Sequence, residues 1–374
     1  MHCRQLSVIN FKNLAEFSVE LSSKFNCFAG QNGAGKTNVL DAIYYLSFCK
    51  SFANPIDTQN IRFDNDFFVI QGSYNVNGQE DALYCGLKRG QRKVFKRNKK
   101  EYERFSDHIG LYPLVLLSPA DSRLILGGSE ERRKFVDGVI SQYNKEYLFK
   151  LIDYNKALQQ RNALLKSFAE KKNFDRESLD VWDEQLITNG EYIFDERTKF
   201  FDAFLPVFRE YYGFLSGKKE ETDILYESTL HESDYRNQLT DAVEKDRMVQ
   251  HTTVGIHKDD LSFLIHGETI KKFGSQGQQK SFIIALKLAQ FVFTKRIKGY
   301  NPILLFDDIF DKLDAFRVKQ LMQLVSNEDF GQVLITDTDP ERLERLFSSI
   351  PSECKLFSIE DGSCTHSKTL HPSQ

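Results

Sequence analysis

The chain contains a glycine-rich segment with the spacing G-x-x-x-x-G-K-[ST], the pattern of a phosphate-binding loop. Its members are Gly30, Gln31, Asn32, Gly33, Ala34, Gly35, Lys36 and Thr37. Glycine permits backbone conformations that a Cβ excludes, so successive N–H groups can turn toward the oxygens of a phosphate. Lys36 supplies a positive charge for the outer phosphates, and the Thr37 hydroxyl is a suitable Mg²⁺ ligand. We therefore expect this segment to bind ATP with Mg²⁺.

The residues on either side of this loop favour the same interpretation. An apolar run at 25–29 predicts a strand before the loop. After it, Val39, Leu40 and Ile43 follow at helical spacing. A helix that begins at the loop directs the positive end of its dipole at a bound anion. The strand and the helix supply the context in which a phosphate loop works.

A second motif consists of the apolar run 303–306 followed by Asp307 and Asp308. This arrangement is typical of a buried parallel strand that ends at the functional edge of a sheet. We expect Asp307 to hold Mg²⁺, directly or through water, and Asp308 to be the catalytic carboxylate facing the water that attacks the γ-phosphate. The pattern is weak alone, because many strands end in polar turn residues, but a preceding phosphate loop strengthens it. Residues 311–314 follow where ABC- and SMC-type ATPases carry a loop across their dimer interface.

A third motif lies just upstream and leads into a predicted helix. It comprises Ser275, Gln276, Gly277 and Gln278. Taken alone, Ser275 is equally well explained as an ordinary helix N-cap. Together with the other two motifs the segment is similar to the ABC signature, in which a serine, a glycine and a helix N-terminus bind the γ-phosphate of a nucleotide held by the opposite subunit. Along the chain the phosphate loop, the signature and the acidic strand follow one another in the order typical of ABC-type ATPases, which chance would rarely produce.

The pattern of apolar residues predicts an α/β head with an inserted helical arm domain, and the three motifs together resemble those of a P-loop ABC/SMC-type ATPase head. We place the first part of the head, with the phosphate loop, at 1–129 and the arm at 130–245, a charged stretch with helical spacing. The second part of the head, with the signature and the acidic strand, is placed at 246–374. The polar residues 361–374 are expected to form a loose tail.

The composition is that of a soluble globular protein, with 41% hydrophobic and 28% charged residues among 374. No apolar run approaches the length of a membrane span and none near the start has the form of a signal peptide, so we expect a cytoplasmic protein without a membrane partner. The formal net charge of −3 gives no overall attraction to nucleic acid, and a polyanion would need a local basic patch. Six scattered cysteines without a C-x-x-C pair argue against zinc and disulfides.

Three local clusters leave alternatives open. A basic run with interleaved aromatics spans 88–104, and it could either grip a phosphate backbone or protect the edge of a hairpin with lysines. Arg132, Arg133 and Lys134 are a second possible DNA contact, or partners of local carboxylates. His257 with Asp259 and Asp260 suggests a metal cluster, but such a group in a turn is more often structural.

Several segments of this sequence resemble the RecF family of bacterial recombination mediators. They lie at 9–14, 35–38, 127–137, 157–166, 255–260 and 275–280. The resemblance runs over nearly the whole chain, and the segments 127–137 and 157–166 distinguish this family from other ABC-type ATPases. It implies an SMC-type head, ATP-dependent homodimerisation, slow ATP hydrolysis, DNA binding near single-strand/double-strand boundaries, and cooperation with RecO and RecR mediators in loading recombinase at gaps.

The sequence also departs from better-known ABC ATPases. Thr336, Asp337 and Thr338 stand where those enzymes carry a switch histidine, Asp308 replaces a glutamate, and 118–121 contains no glutamine for a Q-loop. We therefore expect slow catalysis. The alternatives are an ATPase subunit of a membrane transporter, against which the arm argues, and a scaffold that binds ATP without hydrolysing it. A related nuclease is disfavoured because the chain ends soon after the head.

Overall fold

A computed structural model describes residues 1–310, 314–327, 329–348, 350 and 352–370. The chain divides into two compact units, Met1–Asp121 with Leu286–Gln374, and Ser122–Ala285. The second unit starts before the predicted arm boundary at 130 and continues well past 245. It therefore takes in the signature segment as well as the helices of the arm.

The first unit contains most of the described strands, and the second unit is mainly helical. The strands are β1 His2–Phe11, β2 Leu14–Glu20, β3 Phe25–Ala29, β4 Phe67–Val76, β5 Gln79–Lys88, β6 Val94–Arg97, β7 Lys100–Glu101, β8 Leu114–Leu117, β9 Thr222–Glu227, β10 Asp260–Ile265, β11 Glu268–Thr269, β12 Ile303–Asp307, β13 Val333–Asp337, β14 Cys354–Glu360 and β15 Ser363–Leu370. The helices are α1 Lys36–Phe48, α2 Arg123–Leu126, α3 Ser129–Ser141, α4 Lys145–Lys171, α5 Arg176–Ser216, α6 Tyr235–Val249, α7 Ile270–Phe273, α8 Gln276–Lys298, α9 Ala315–Ser326 and α10 Pro340–Phe347.

The first unit contains an antiparallel sheet with the strand order β2-β1-β4-β5-β6-β7. Side chains alternate across it, as the period of a strand requires: Leu6 and Val8 are buried, while Gln5 is exposed and Ser7 half-buried. The buried face joins one apolar core with α1. In that core Phe11 meets Tyr45 and Phe68 edge to face, with ring centroids 5.8 and 5.3 Å apart. The opposite face of the sheet remains open to solvent.

The second sheet of this unit has the order β15-β14-β3-β13-β12-β8, and all of its neighbouring pairs except β14–β15 are parallel. Every residue of β3, β12 and β13 is buried, as in a parallel sheet covered on both faces. Strands β12 and β13 are apolar runs that end in polar residues, and β3 is apolar except for Asn26. The prediction of a loose tail is wrong for 363–370, because β15 pairs with β14 through a turn in which Asp361 and Gly362 both have positive φ. Residues 371–374 lie outside the described part of the chain.

The second unit combines α2–α7 and the start of α8 with a sheet in the order β11-β10-β9. Strand β9 lies inside the stretch predicted to be helical, where it pairs antiparallel with β10. Its residues Thr222 and Ile224 are buried on one face, which is the alternation of a half-buried strand. No helix among the described residues is both long enough and apolar enough to cross a membrane.

Two buried arginines tie the loop before β10 to the long helices of this unit. Arg161 on α4 is fully buried and contacts Asp183, Asp246 and the Thr252 hydroxyl. Arg197 on α5 reaches Asp259 at 2.7 Å and the Ile256 carbonyl at 2.9 Å. Each guanidinium has little access to water, so its carboxylate partners supply the charge compensation that burial demands.

Replacing Arg161 by alanine is expected to destabilise the protein by about 3–5 kcal/mol, because Asp246 would be left buried without its counter-ion and Asp183 would keep only Arg176, at 3.6 Å. Urea unfolding followed by circular dichroism measures the effect. Arg236, which pairs with Glu184 at the surface, provides the matched arginine control, and its replacement by alanine should change stability little. Equal losses in the two variants would contradict this account of the buried network.

Candidate nucleotide site

The phosphate loop connects the buried strand β3 to the first turn of α1. Gly33 and Gly35 have φ values of 83° and 112°, which L side chains rarely adopt. Gly30 is restricted for a different reason, because a Cβ there would lie 2.2 Å from the backbone oxygen of Ile359. The backbone thus turns sharply in a crowded space, and glycine is the residue that permits this.

The Lys36 side chain is directed back toward the first residues of the phosphate loop. Its Nζ donates to the carbonyl oxygens of Gly30 at 2.7 Å and Gln31 at 2.9 Å, and the residue is 6% exposed. Burial lowers the pKa of this ammonium, while the carboxylates of Asp308, Asp307 and Asp337 oppose that shift. The positive charge is therefore held close to the place where phosphate oxygens would meet the loop.

Asp307, at the end of β12, joins three elements through one oxygen. Its Oδ1 accepts hydrogen bonds from the Thr37 hydroxyl on α1 and the Thr336 hydroxyl on β13, both at 2.8 Å. The residue is 5% exposed, and burial raises the pKa of its carboxyl group above the usual range. No cation in the described part of the chain forms an ion pair with it. The structure thus brings the predicted Mg²⁺ ligands Thr37 and Asp307 together.

The Thr37 and Asp307 pair fits a hard divalent cation. Mg²⁺ prefers oxygen ligands, and it is typically held by one or two protein groups together with substrate phosphates and water. A hydroxyl and a carboxylate that already contact each other provide such donors next to the phosphate loop. The buried carboxylate also has a charge that a cation would compensate.

Asp308, the predicted catalytic residue, follows directly and has a left-handed backbone with φ 51°. Aspartate tolerates this conformation better than most residues. Its backbone N–H donates to the Thr336 hydroxyl at 2.9 Å, so the same threonine positions both carboxylate residues. From the sequence we noted only that Thr336 lies in the segment where other enzymes carry a histidine. Its role in holding Asp307 and Asp308 depends on a contact between distant segments, which the sequence alone does not reveal.

Residues far from the loop in sequence also hold it in place. The Asn13 side chain donates to the Gly33 carbonyl at 2.9 Å and accepts from the Asn38 side chain at 2.7 Å. On the other side, the backbone N–H of Gly362 donates to the Ala34 carbonyl at 2.8 Å. The Asp361–Gly362 dipeptide is a hairpin signal that could have revealed this support, since both positions of such a turn need positive φ.

An ion pair occupies the end of β13, where a switch histidine would stand. Asp337 accepts from Arg342 Nε at 2.9 Å and Nη2 at 2.6 Å, and its backbone oxygen accepts from the Gly30 N–H at 3.3 Å. The segment 118–121 is likewise a structural turn: Asp121 accepts from the Ser118 N–H at 2.7 Å and pairs with Lys287 at 2.7 Å. The segment at the end of β13 thus has no switch histidine, and the segment 118–121 has no Q-loop glutamine.

The signature segment belongs to the second compact unit, whereas the phosphate loop belongs to the first. Ser275 and Gln278 form a reciprocal cap: the Ser275 N–H donates to Gln278 Oε1 at 2.7 Å, and the Gln278 N–H donates to Ser275 Oγ at 3.3 Å. Ser275 and Gln276 are exposed, while Gly277 and Gln278 are half-buried. The N-cap interpretation is therefore confirmed, and the cap leaves the start of α8 accessible to solvent.

The remaining candidates have structural partners. His257 contacts the Tyr154 hydroxyl at 2.8 Å and the Thr252 carbonyl at 3.1 Å, and burial lowers its pKa to about 4. Arg132 pairs with Asp260 at 2.7 Å, which favours the carboxylate alternative for this arginine. No cluster of metal-ligating side chains occurs among residues that the structure describes. Of the segment 311–314, residues 311–313 lie outside them.

Comparison with known proteins places this geometry in a family. A family model described as an AAA ATPase domain matches residues 1–323. The DNA replication and repair protein RecF of Phocaeicola vulgatus is 52% identical over 372 residues, covering 99% of this chain and 100% of that protein. The protein of the same name from Flavobacterium johnsoniae is 51% identical over 359 residues, covering 96% of this chain and 100% of that protein.

Solved structures agree with these relatives. A structure described as the recombination mediator protein RecF-ATP in the RecFOR pathway has a TM-score of 0.88 and 29% identity, covering 99% of this chain and 97% of that one. A second structure is an Smc head domain from Pyrococcus furiosus, bound to the C-terminal domain of ScpA. It has a TM-score of 0.59 and 17% identity, covering 99% of this chain and 96% of that one. This likeness concerns the fold alone. The predicted α/β, SMC-type ATPase head is confirmed, as is the resemblance to RecF.

Replacing Asp307 by asparagine is expected to raise the thermal unfolding midpoint of the nucleotide-free protein near pH 7. The amide oxygen can still accept from Thr37 and Thr336, while the buried charge is removed. Because the folded-state pKa of Asp307 is raised, its contribution to stability is present below the unfolded pKa of about 4 and is lost as the pH rises through the folded value. The advantage of the variant should therefore shrink as the pH falls.

Asp337 serves as the matched aspartate control for that experiment. Its replacement by asparagine weakens the ion pair with Arg342 and should lower the midpoint by the equivalent of about 1–3 kcal/mol near pH 7. Differential scanning calorimetry between pH 5 and 8 compares both variants with the wild type. A lower midpoint for the Asp307 variant at pH 7 would contradict the assignment of Asp307 as a buried carboxylate that has no ion-pair partner among the described residues.

Proposed function

The chain belongs to the RecF family of DNA replication and repair proteins, and on that premise we propose that it is an ATP-dependent DNA-binding protein of recombinational gap repair and replication restart. ATP joins two copies on DNA, and slow hydrolysis separates them and releases the DNA. The observation that carries this proposal is the hydrogen bond between Thr37 and Asp307, which unites the phosphate loop with the acidic strand. The match to an AAA ATPase domain supports ATPase activity.

The chemistry of nucleotide binding follows from the residues of the first unit. The backbone N–H groups of 30–35 and the Lys36 ammonium would bind the phosphates, and Thr37 and Asp307 would hold Mg²⁺. The metal supplies charge neutralisation on the β- and γ-phosphates. Asp308 is the residue we assign to orient the attacking water, since its backbone is fixed by Thr336.

We propose dimerisation because the signature segment resembles the one with which ABC-type ATPases bind the nucleotide of the opposite subunit. Ser275 and Gln276 are exposed at the first turn of a long helix, whose N–H groups and dipole suit an anion. We assign this turn, with Gly277 and Gln278, to the γ-phosphate of a nucleotide bound by a second copy. Each dimer would then hold two ATP molecules between facing loops and signatures.

The partners are proposed from the family. The relatives carry the name DNA replication and repair protein, and a similar solved protein is described as a mediator in the RecFOR pathway. We accordingly propose DNA at single-strand/double-strand boundaries, RecR- and RecO-type mediators, and a cytoplasmic location. The scaffold alternative, in which ATP is bound but not hydrolysed, is favoured by the ion pair that stands in place of a switch histidine.

ATP is expected to convert the wild-type protein from monomer to dimer in sedimentation velocity experiments. Lys36→Ala should remain monomeric because it loses the charge that pairs with the phosphates, and Ser275→Arg should remain monomeric because it blocks the start of α8. Lys319→Gln, at an exposed position on α9 outside these motifs, is the control and should dimerise. A wild-type dimer of equal strength without nucleotide would count against the mechanism.

Asp308→Asn is expected to bind ATP and dimerise but to lower the rate of phosphate release by roughly 100-fold or more, in the range typical of a lost acid–base group. Phosphate release and sedimentation measured on the same samples separate hydrolysis from assembly. If the wild type releases no phosphate above the Lys36→Ala background while it still dimerises, the scaffold alternative is correct and the proposed hydrolytic step is wrong.

A further inference from the structure

The solvent-exposed face of the antiparallel sheet carries a continuous row of side chains across its strands. Each is the direct cross-strand neighbour of the next, in the order Ser18, Ser7, Gln71, Tyr84, Lys96 and Glu101. From Ser7 to Lys96 the row crosses three gaps between strands, a span of about 14 Å at the usual strand spacing. This face takes no part in the nucleotide site.

A shallow groove of about 510 Å³ follows the middle of that row. Its polar lining comprises Gln5, Ser7, Gln71, Ser73, Tyr84, Lys96 and Lys99, and none of its lining residues is acidic. Amide and hydroxyl groups such as these can both donate and accept hydrogen bonds. Carboxylates stand at the two ends of the row, on β2 at Glu16 and Glu20 and on β7 at Glu101. Glu80 lies on the same face further along β5, where it pairs with Arg4.

Tyr84 forms a flat aromatic surface in this groove. Gly86 follows Tyr84 by two residues on β5, and a Cβ built at Gly86 would lie 2.6 Å from the Tyr84 hydroxyl. The Tyr84 ring therefore extends over this glycine and lies along the sheet. The Tyr84 ring thus covers the backbone at Gly86, and the residue as a whole is half-buried. Gly86 is what allows the tyrosine to lie flat.

Two lysines give the groove its charge. Lys96 Nζ lies 5.7 Å from the centroid of the Tyr84 ring, and neither Lys96 nor Lys99 has a carboxylate partner among the described residues. The neighbouring cations are engaged elsewhere: Lys93 pairs with Asp57, and Arg97 pairs with Asp81. Lys96 and Lys99 are therefore among the cations of the basic run 88–104 whose charge is available for a polyanion, and they are the ones that line this groove.

We propose that this face is a binding site for single-stranded DNA, in which an unpaired base stacks on Tyr84 while Lys96 and Lys99 contact the flanking phosphates. An exposed sheet that presents an aromatic ring beside lysines and amides is suited to unstacked bases, whose flat faces are hidden inside a duplex. The proposal rests on the proposed function, because it names which form of DNA this part of the protein would bind. It assigns to the sheet the single-stranded side of a single-strand/double-strand boundary.

Binding of the full-length protein, with ATP and Mg²⁺, to a thymidine 30-mer and to a blunt duplex of equal length tests the proposal by fluorescence anisotropy. Tyr84→Ala should weaken single-strand binding by roughly 5- to 100-fold, the range seen when a stacking aromatic is removed. Duplex binding should change less than twofold. Tyr84→Phe, which keeps the ring, should bind like the wild type, and a strand containing 2-aminopurine should be quenched by wild type and Tyr84→Phe only.

The lysines are tested through salt dependence. Lys96→Gln and Lys99→Gln should each lower the slope of log affinity against log salt concentration by roughly one for the single strand. Lys319→Gln is the charge-matched control. Single-strand binding within twofold of wild type in the Tyr84→Ala, Lys96→Gln, Lys99→Gln triple variant would overturn the proposal, as would an equal loss for single strand and duplex.

The failure of this inference can be told apart from a failure of the proposed function. If wild type binds DNA with ATP and the triple variant matches it, the sheet site is wrong while the proposed function stands. If wild type binds neither form of DNA, the proposed function itself is wrong and the site falls with it. ATP-dependent dimerisation of the triple variant, measured in parallel, verifies that the variant folds.

Discussion

The nucleotide site depends on a single buried carboxylate oxygen. Asp307 Oδ1 accepts from Thr37 and from Thr336, and through these two bonds it fixes the position of α1 relative to β12 and β13. Burial of this charge opposes folding and raises the pKa of the carboxyl group, and the nearby Lys36 ammonium offsets only part of that effect. The site is thus suited to a ligand, because a bound cation would supply positive charge beside the Asp307 carboxylate. Binding of the cation and its phosphates to the folded state would also stabilise the fold by linkage.

The loop around that oxygen is held from outside the nucleotide-binding strand and helix. Asn13 at the first hairpin and Gly362 at the last one contact the loop carbonyls of Gly33 and Ala34, and Ile359 packs its backbone against Gly30. These contacts come from the two ends of the chain. A preformed loop of this kind loses little conformational freedom when a phosphate binds, so more of the interaction energy is available for affinity.

Sequence reasoning was most effective where the signal is local. The phosphate loop and the run before Asp307 were recognisable because glycine spacing, apolar strands and helix starts occupy consecutive residues. Thr336, Asn13 and Gly362 were not assigned roles, because each acts through a contact with a distant segment that no spacing reveals. The sequence does not reveal strand β9, because its partner β10 is separated from it in sequence by α6. It does not reveal β15 either, because the exposed polar residues of that strand resemble those of a loose tail.

The proposed mechanism divides the phosphate contacts between two copies, with Lys36 of one and Ser275 of the other at each nucleotide. Mixing experiments test this division directly. Lys36→Ala and Ser275→Arg are each inactive alone in our account, but their heterodimer contains one intact site, formed by the normal loop of the second variant and the normal signature of the first. We predict that mixing the two restores ATP hydrolysis. A mixture that stays as inactive as its components, while both variants remain folded, would contradict the account.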